Sequence, residues 1–278
     1  MTLVIKIGGA AGISADGLLD DLAALAGGGD RIVLVHGGSD ETSRLQEALG
    51  RPAEFLTSPS GHVSRRTDRP ALETFAMATA LINRRLVEGL AARGIRGFGL
   101  SGLDGRLVTA ERKGSVRAVV DGRVVVLRDE WTGRPARVDA GLLTMLLERG
   151  LMPVLAPLAI SEAGEMLNVD GDRLAGAVAA ALGSETLVIL SNVPGLLENV
   201  EDPGSVVAHV PGAELERAEG LARGRMRKKV LGAREALEGG VRRVVIGDAR
   251  HGTPVTDALG GAGTVLGTAL HASAGGRS

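Results

Sequence analysis

Four lysines, at positions 6, 113, 228 and 229, stand among 32 basic residues in a chain of 278. Nearly all the other positive charge is arginine, so the lysines point to places where a compact, flexible ammonium is required rather than a planar fork. Lys6 lies inside Leu3-Val4-Ile5-Lys6-Ile7, an apolar run ended at once by Gly8-Gly9. That pattern reads as a buried strand entering a tight turn. An ammonium on such a strand either snorkels past its edge or needs an anion beside it, because burying it unpaired costs several kcal/mol. Lys228 and Lys229 open a helix expected over residues 224–238, where positive charge opposes the helix dipole. A solvated charge run would account for them, and so would a bound polyphosphate. Asn168 and Asp172 stand four apart around another helix start. Asp170 or Asn168 alone suffices as its N-cap, which leaves Asp172 free to hold a lysine. Gly37-Gly38 follows a second apolar run and, like Gly8-Gly9, can expose backbone N–H groups to phosphate or carboxylate oxygens. The chemistry of such a set is the holding and neutralising of an anion.

These residues need a scaffold, and apolar runs alternating with helical stretches supply one. Strands are expected at 3–7, 31–35, 95–101, 152–156, 186–190, 243–246 and 264–266. Helices are expected at 14–26 (Ser14 as N-cap), from Ser39 to about 49, and at 71–93, 138–149, 172–182 and 224–238. This is the β-α-β pattern of a mostly parallel sheet with helices on its faces, which binds ligands at the carboxyl ends of its strands. The segment 105–137 is arginine-rich and departs from that rhythm. Within it Asp121-Gly122 joins two apolar runs, 116–120 and 123–127, as a type I′ hairpin. A shift near residue 160 suggests two lobes sharing one sheet, 1–160 and 161–267, followed by a small polar tail, 268–278, expected to be disordered.

Composition removes several classes. Acidic and basic residues balance, 33 against 32, and one Trp, three Phe and no Tyr leave little for bases to stack on, so no nucleic-acid partner is expected. The absence of cysteine excludes thiol nucleophiles and Cys-ligated metals, and the five histidines show no metal-ligand spacing. No signal peptide or membrane span is evident, so a soluble cytoplasmic protein is expected. Gly97-Phe98-Gly99-Leu100-Ser101-Gly102 matches the dinucleotide fingerprint literally, yet the required helix does not follow it. No lysine precedes Ser or Thr, so there is no Walker A loop.

In order and spacing the motifs resemble the amino acid kinase family, on its acetylglutamate kinase branch, from about residue 2 to 267. The resemblance rests on Lys6-Ile7-Gly8-Gly9, His36-Gly37-Gly38, Arg65-Arg66-Thr67-Asp68, Gly99-Leu100-Ser101-Gly102, Asn168-Val169-Asp170-Gly171-Asp172, Ser191-Asn192-Val193-Pro194-Gly195 and Gly224-Arg225-Met226-Arg227-Lys228-Lys229-Val230. It implies an α/β fold, a three-layer αβα open sandwich around a mostly parallel sheet. The N-terminal lobe would bind the acid substrate and form a homodimer, and the C-terminal lobe would bind ATP. The reaction implied is transfer of the γ-phosphoryl group of MgATP to a side-chain carboxylate. Lys6 and Lys229 would flank the transferring group and Asp172 would orient them. Gly8, Gly9, Gly37 and Gly38 would offer N–H groups, Arg65 would clamp the α-carboxylate, and Asn168 would hold the substrate backbone. Ser191, Asn192 and Gly195 would face the nucleotide, and no protein-held metal is expected.

Some positions depart from acetylglutamate kinases. Ser39 stands for a third glycine, Leu103 for a lysine and Asp170-Gly171 for Asn-Ala, and extra residues around His62 precede Arg65. These features resemble the aminoadipate kinases of carrier-dependent lysine biosynthesis, whose substrate is amide-linked to a small acidic protein, LysW. An acidic carrier needs a basic surface. Arg65, Arg66, Arg69, Arg112, Lys113 and Arg117 are candidates for it. An N-acetylglutamate kinase of arginine biosynthesis and a non-catalytic amino-acid-binding module are the competing expectations.

Overall fold

The computed structural model describes residues 1–9, 15–59, 61, 63–120 and 122–269. Ser14, His62, Asp121 and most of the expected tail lie outside these residues. The elements run β1 (Thr2–Ile7), α1 (Ala15–Gly27), β2 (Arg31–His36), α2 (Ser39–Ala48), β3 (Phe55–Thr57), β4 (Val63–Arg65), α3 (Arg69–Ala91) and β5 (Gly97–Ser101). There follow β6 (Val108–Arg112), β7 (Val116–Val120), β8 (Arg123–Leu127), β9 (Thr132–Val138), α4 (Ala140–Glu148), β10 (Met152–Ala156), β11 (Leu158–Ile160) and β12 (Met166–Val169). The chain continues through α5 (Gly171–Ala181), β13 (Thr186–Ser191), β14 (His209–Val210), α6 (Leu215–Leu221), α7 (Met226–Glu238), β15 (Arg243–Asp248), α8 (Pro254–Leu259) and β16 (Thr264–Gly267).

One sheet spans both halves of the chain in the order β14-β16-β15-β13-β1-β2-β10-β5. Only β16 runs antiparallel to its neighbour β15 among the pairs β1–β13, β1–β2, β2–β10, β10–β5, β13–β15 and β15–β16. The first strand is thus central, with β2 on one side and β13 on the other. Its side chains alternate as a strand with both faces covered requires. Leu3, Ile5 and Ile7 join Leu18 and Leu22 of α1, Leu86 and Leu90 of α3 and Val255 of α8. Val4 faces the opposite layer with Leu174 and Val178 of α5 and Val230 and Ala233 of α7. The three-layer αβα sandwich expected from the sequence is present. Lys6, two residues after Val4, emerges on the α5–α7 side at the carboxyl end of the central strand.

Two smaller units sit on the β5 side of the sheet. A closed barrel, β11-β12-β9-β6, and a four-stranded antiparallel sheet, β4-β3-β7-β8, fill stretches where the sequence suggests only a hairpin and polar segments. The β7–β8 hairpin is present. The barrel draws in β12, so the return to the large sheet falls at α5. Most of the literal dinucleotide fingerprint is strand β5, with Gly97 and Gly99 packed against α3 rather than forming a phosphate turn: a Cβ at Gly99 would lie 2.0 Å from Asn83 Oδ1. No helix among the described residues is long and apolar enough to cross a membrane.

Candidate active site

Asp172 is the hinge of the site. It lies in the first turn of α5, whose N-cap is Asp170, with Asp170 Oδ1 accepting from the N–H groups of Asp172 and Arg173. Capping is therefore done by Asp170, and the Asp172 carboxylate is free for other partners. Lys6 Nζ is 2.6 Å from Asp172 Oδ1, and Lys229 Nζ is 3.3 Å from Oδ2. All three side chains are buried. Burial alone would push the Asp172 carboxyl up, but the two ammonium groups outweigh it and hold it down at about 2. Lys229 is pushed down to about 8 by burial and by Lys6, with Asp172 opposing both.

Small residues permit this approach. The Lys6 stem passes over Gly171, where a Cβ would lie 3.4 Å from Lys6 Cε. Gly232, one turn after Lys229, lets α7 close on α5; a Cβ there would meet the Asp172 carbonyl carbon at 3.0 Å. Lys228 takes the outer position, 3.8 Å from Asp170 Oδ2. Lys113, just after β6, is pushed down by burial and by the charges of Arg173 and Lys228. Three of the four lysines thus gather at the start of α5, and the fourth lies near enough to feel one of them.

The two glycine turns pack on each other beside Lys6. A Cβ on Gly9 would fall 2.5 Å from Gly38 N, and one on Gly37 would fall 2.6 Å from Gly9 N. The N–H groups of Gly8 and Gly37 are already used, donating to Leu190 O at 2.9 Å and Ile7 O at 3.0 Å. Those of Gly9 and Gly38 donate to none of the described residues. Of the four donors expected from the sequence, two therefore remain open, side by side. Gly9→Ala should lower kcat by about 10²-fold or more, because the turns must part by a good fraction of an ångström. Steady-state kinetics on protein with an unchanged far-UV spectrum would check it, and parental turnover would show the turns to be mere connections.

Arg65 and Asn168 are set in place by β4, α2 and the barrel. Arg65 donates to Ser39 O at 3.0 Å, to Ser43 Oγ at 2.6 Å and to Gln46 Oε1, and stacks over Phe55. Those bonds use three of its five N–H groups and leave two for a ligand. Ser39 also donates through Oγ to Gly9 O at 3.2 Å, so the residue in place of a third glycine ties Arg65 to the first turn. Asn168 N–H donates to Trp131 O, Trp131 N–H donates to Thr67 O, and Asn168 Nδ2 lies 3.4 Å from Thr67 Oγ1.

The Amino acid kinase family profile matches residues 1–248. The chain belongs to the amino acid kinase family. It is 50% identical over 265 residues to the LysW-aminoadipate kinase of Deinococcus radiodurans, covering 95% of this chain and 91% of the relative. It is 49% identical over 267 residues to the LysW-aminoadipate kinase of Thermus thermophilus, covering 95% and 99%. Among solved structures it resembles N-acetylglutamate synthase from Neisseria gonorrhoeae in complex with coenzyme A and N-acetyl-glutamate, with TM-score 0.78 and 26% identity. The match covers 97% of this chain and spans 60% of that longer one.

Within this amino acid kinase, the remaining expected site residues lie at the end of β13 and in the loop after it. Ser191 ends β13; it is buried and its Oγ has no hydrogen-bond partner among the described residues. Asn192 is exposed, and Gly195 packs on Thr264, where a Cβ would lie 2.7 Å from Thr264 Oγ1. Leu103 packs against the small cluster of Leu72, Phe75 and Leu158. The basic rim is largely committed within the chain. Arg66 pairs with Glu54 and Arg69 with Glu73. Arg112 pairs with Glu165 and lies over Trp131, 3.8 Å from the ring centroid.

The sequence reading missed Asn83 and gave His36 no role of its own. Asn83 Nδ2 lies 3.2 Å from His36 Nε2 and 2.7 Å from Val154 O, and both side chains are buried. A signal was present in α3, where Thr79 and Asn83 interrupt the apolar stripe of Leu72, Phe75, Leu86 and Leu90. A polar residue on a buried stripe requires a partner.

Proposed function

We propose that this chain transfers the γ-phosphoryl group of ATP to the side-chain carboxylate of 2-aminoadipate carried by LysW, forming an acyl phosphate in lysine biosynthesis. Carrier-linked glutamate is a second acid of the same class. The observation that carries the reading is the buried carboxylate of Asp172 held between one lysine from each half of the chain. A carboxylate oxygen of the substrate attacks the γ-phosphorus in line, and the bond to the leaving ADP oxygen breaks. The nucleophile is already an anion, so no general base is needed. Catalysis is positioning and charge neutralisation. Lys6 and Lys229 flank the transferring group, Asp172 fixes both, and the Gly9 and Gly38 N–H groups receive its oxygens. Gly8 and Gly37 shape the turns, Arg65 and Asn168 hold the acid, and Ser191, Asn192 and Gly195 border the nucleotide. Magnesium enters with ATP, as part of the nucleotide's own complex.

In this reading the enzyme works in the cytoplasm as a homodimer, with residues 1–160 binding the acid and forming the dimer contact and residues 161–267 binding ATP. Exposed Phe98 on edge strand β5, with exposed Met77 and Leu81 on α3, supports that contact. Arg112 is spent on Trp131 and Glu165, and Lys113 stands toward Arg173 and Lys228, which leaves the exposed hairpin arginines Arg117 and Arg123 to face the carrier. Reversing both to Glu should raise KM for the carrier-linked acid about tenfold and leave KM for ATP unchanged. An unchanged KM for the acid would remove the hairpin from carrier docking.

Lys229 gives a pH dependence. Burial and Lys6 hold it down at about 8 in the free enzyme, so kcat/KM for MgATP should fall as pH rises through about 8. Stability without ligands should move the other way. The unfolded lysine keeps its proton up to the ordinary value of 10.5, so between these values the unfolded chain binds more protons and stability rises with pH. Paired kinetic and urea titrations check both signs, and a flat kinetic profile from pH 7 to 9 would sink the role of charged Lys229.

The function itself is tested by trapping acyl phosphate with hydroxylamine. LysW-linked aminoadipate, LysW-linked glutamate, N-acetylglutamate and free aminoadipate are offered in parallel with MgATP. Hydroxamate with the carrier-linked acids alone is expected. Product with N-acetylglutamate alone would overturn the carrier, and no product with any acid would overturn the kinase.

A further inference from the structure

The His36 ring makes two contacts that together decide where its proton sits. Nδ1 is 2.9 Å from Gly37 O, and a carbonyl oxygen only accepts, so Nδ1 carries hydrogen. Asn83 Nδ2 is 2.7 Å from Val154 O, which fixes the orientation of the amide and makes that nitrogen a donor toward His36 Nε2 as well. Nε2 is then a bare acceptor. Neutrality is enforced independently, since burial and the nearby Lys6 ammonium bring the ring down to about 4 despite the Gly37 hydrogen bond.

This relay has a consequence one peptide further on. The Gly37–Gly38 peptide is trans, so its C=O and N–H point in opposite directions. Drawing the Gly37 carbonyl onto the buried imidazole turns the Gly38 N–H the other way, toward Gly9, where the second open N–H lies. The Gly38 carbonyl is held separately by Thr42, whose N–H and Oγ donate to it at 2.9 and 2.6 Å. Both faces of the turn are thereby fixed, one from α2 and one from the interior.

We infer that Asn83 and His36 form a positioning relay, from α3 through a neutral Nδ1–H imidazole to the Gly37 carbonyl, that aims the Gly38 N–H at the transferring phosphoryl group. The histidine is neither acid nor base here and touches no substrate. The inference rests on the phosphotransfer reading of the previous subsection and adds to it residues that act through the backbone. It also accounts for an asparagine buried mid-helix, with both of its N–H bonds spent on holding a ring and a strand.

The test joins a spectroscopic and a kinetic readout on the full chain. Nitrogen-15 NMR of histidine-labelled protein at pH 7.5, with His36 assigned by its loss in His36→Gln, should show Nδ1 protonated and Nε2 bare. The opposite tautomer would overturn the relay. Asn83→Asp replaces a donor by an acceptor, so it should move the proton to Nε2 and turn a lone pair on the Gly37 carbonyl. Turnover should fall about 10²–10³-fold in Asn83→Asp and His36→Gln, the loss expected for one misdirected oxyanion donor, with KM for ATP and for the acid within about threefold. His36→Asn keeps an N–H near the Nδ1 position and should recover at least about tenfold of that loss. Parental turnover in His36→Gln, or equal loss in both His36 variants with matching falls in Tm, would reduce the relay to packing. If the parent protein phosphorylates none of the acids, the function fails, while the tautomer and its reversal in Asn83→Asp still report on the relay.

Discussion

Lys6→Arg should lower kcat by about three orders of magnitude in a protein that still folds. The charge is conserved, so the expected loss isolates shape. The Lys6 stem runs over Gly171 and ends 2.6 Å from Asp172 in a site 6% exposed. A guanidinium is wider and longer than an ammonium and prefers a bidentate carboxylate. It would take both Asp172 oxygens, displace Lys229 and spread its charge away from the point where the phosphoryl group passes. KM for ATP should change far less than kcat, because the lost interaction is one that strengthens in the transition state. Single-turnover kinetics with a melting curve measure both, and turnover within about threefold of the parent would remove Lys6 from the reaction.

Asp172→Asn is the second large effect, and it acts on stability as well as rate. Without the carboxylate, two buried ammonium groups face each other with no counter-charge between them. Breaking a buried ion pair from one side costs about 3–5 kcal/mol. Urea unfolding should register a loss of that size, and kcat should fall about 10³-fold. Adding Lys229→Met should return much of the stability and none of the activity, which separates the two roles of the carboxylate. The pH dependence of the parent carries a matching sign. Asp172 is held at about 2 against an ordinary 3.8, so its stabilising contribution is complete above 3.8 and is lost as pH falls through about 2. A double variant as unstable as Asp172→Asn alone would contradict the charge argument.

The parallel sheet and its helices were legible because their strands are largely apolar runs, as in Leu3–Ile7, which Gly8-Gly9 ends, and Thr186–Leu190. The Asp172 cluster was legible because a lysine on a buried strand and an aspartate beside a sufficient cap each demand an explanation. What escaped was the small barrel and the β3–β4 pair. Strands of three or four residues such as Leu158–Ile160 and Met166–Val169 are too short to show a period, and β9 is rich in arginine because much of it remains exposed. The state of each glycine donor was also hidden. Gly8 and Gly9 look alike in the sequence, and only the neighbouring strand, through Leu190 O, decides which N–H is left open. The pairing within the basic rim was hidden for a related reason, since composition does not reveal that Glu54, Glu73 and Glu165 pair with three of its arginines.

The central place of β1 also orders events in time. Thr2–Ile7 leaves the ribosome well before one of its two flanking strands, Thr186–Ser191. At about 5–20 residues per second that interval is roughly ten to forty seconds. Through it the first strand has one unpaired, strongly apolar edge, open to neighbouring nascent chains. Lys6 likewise waits for Asp172 and then for Lys229 before its charge is balanced. Assembly of the reactive centre therefore cannot run ahead of the sheet, and a chain stalled before residue 186 would be both inactive and prone to aggregate.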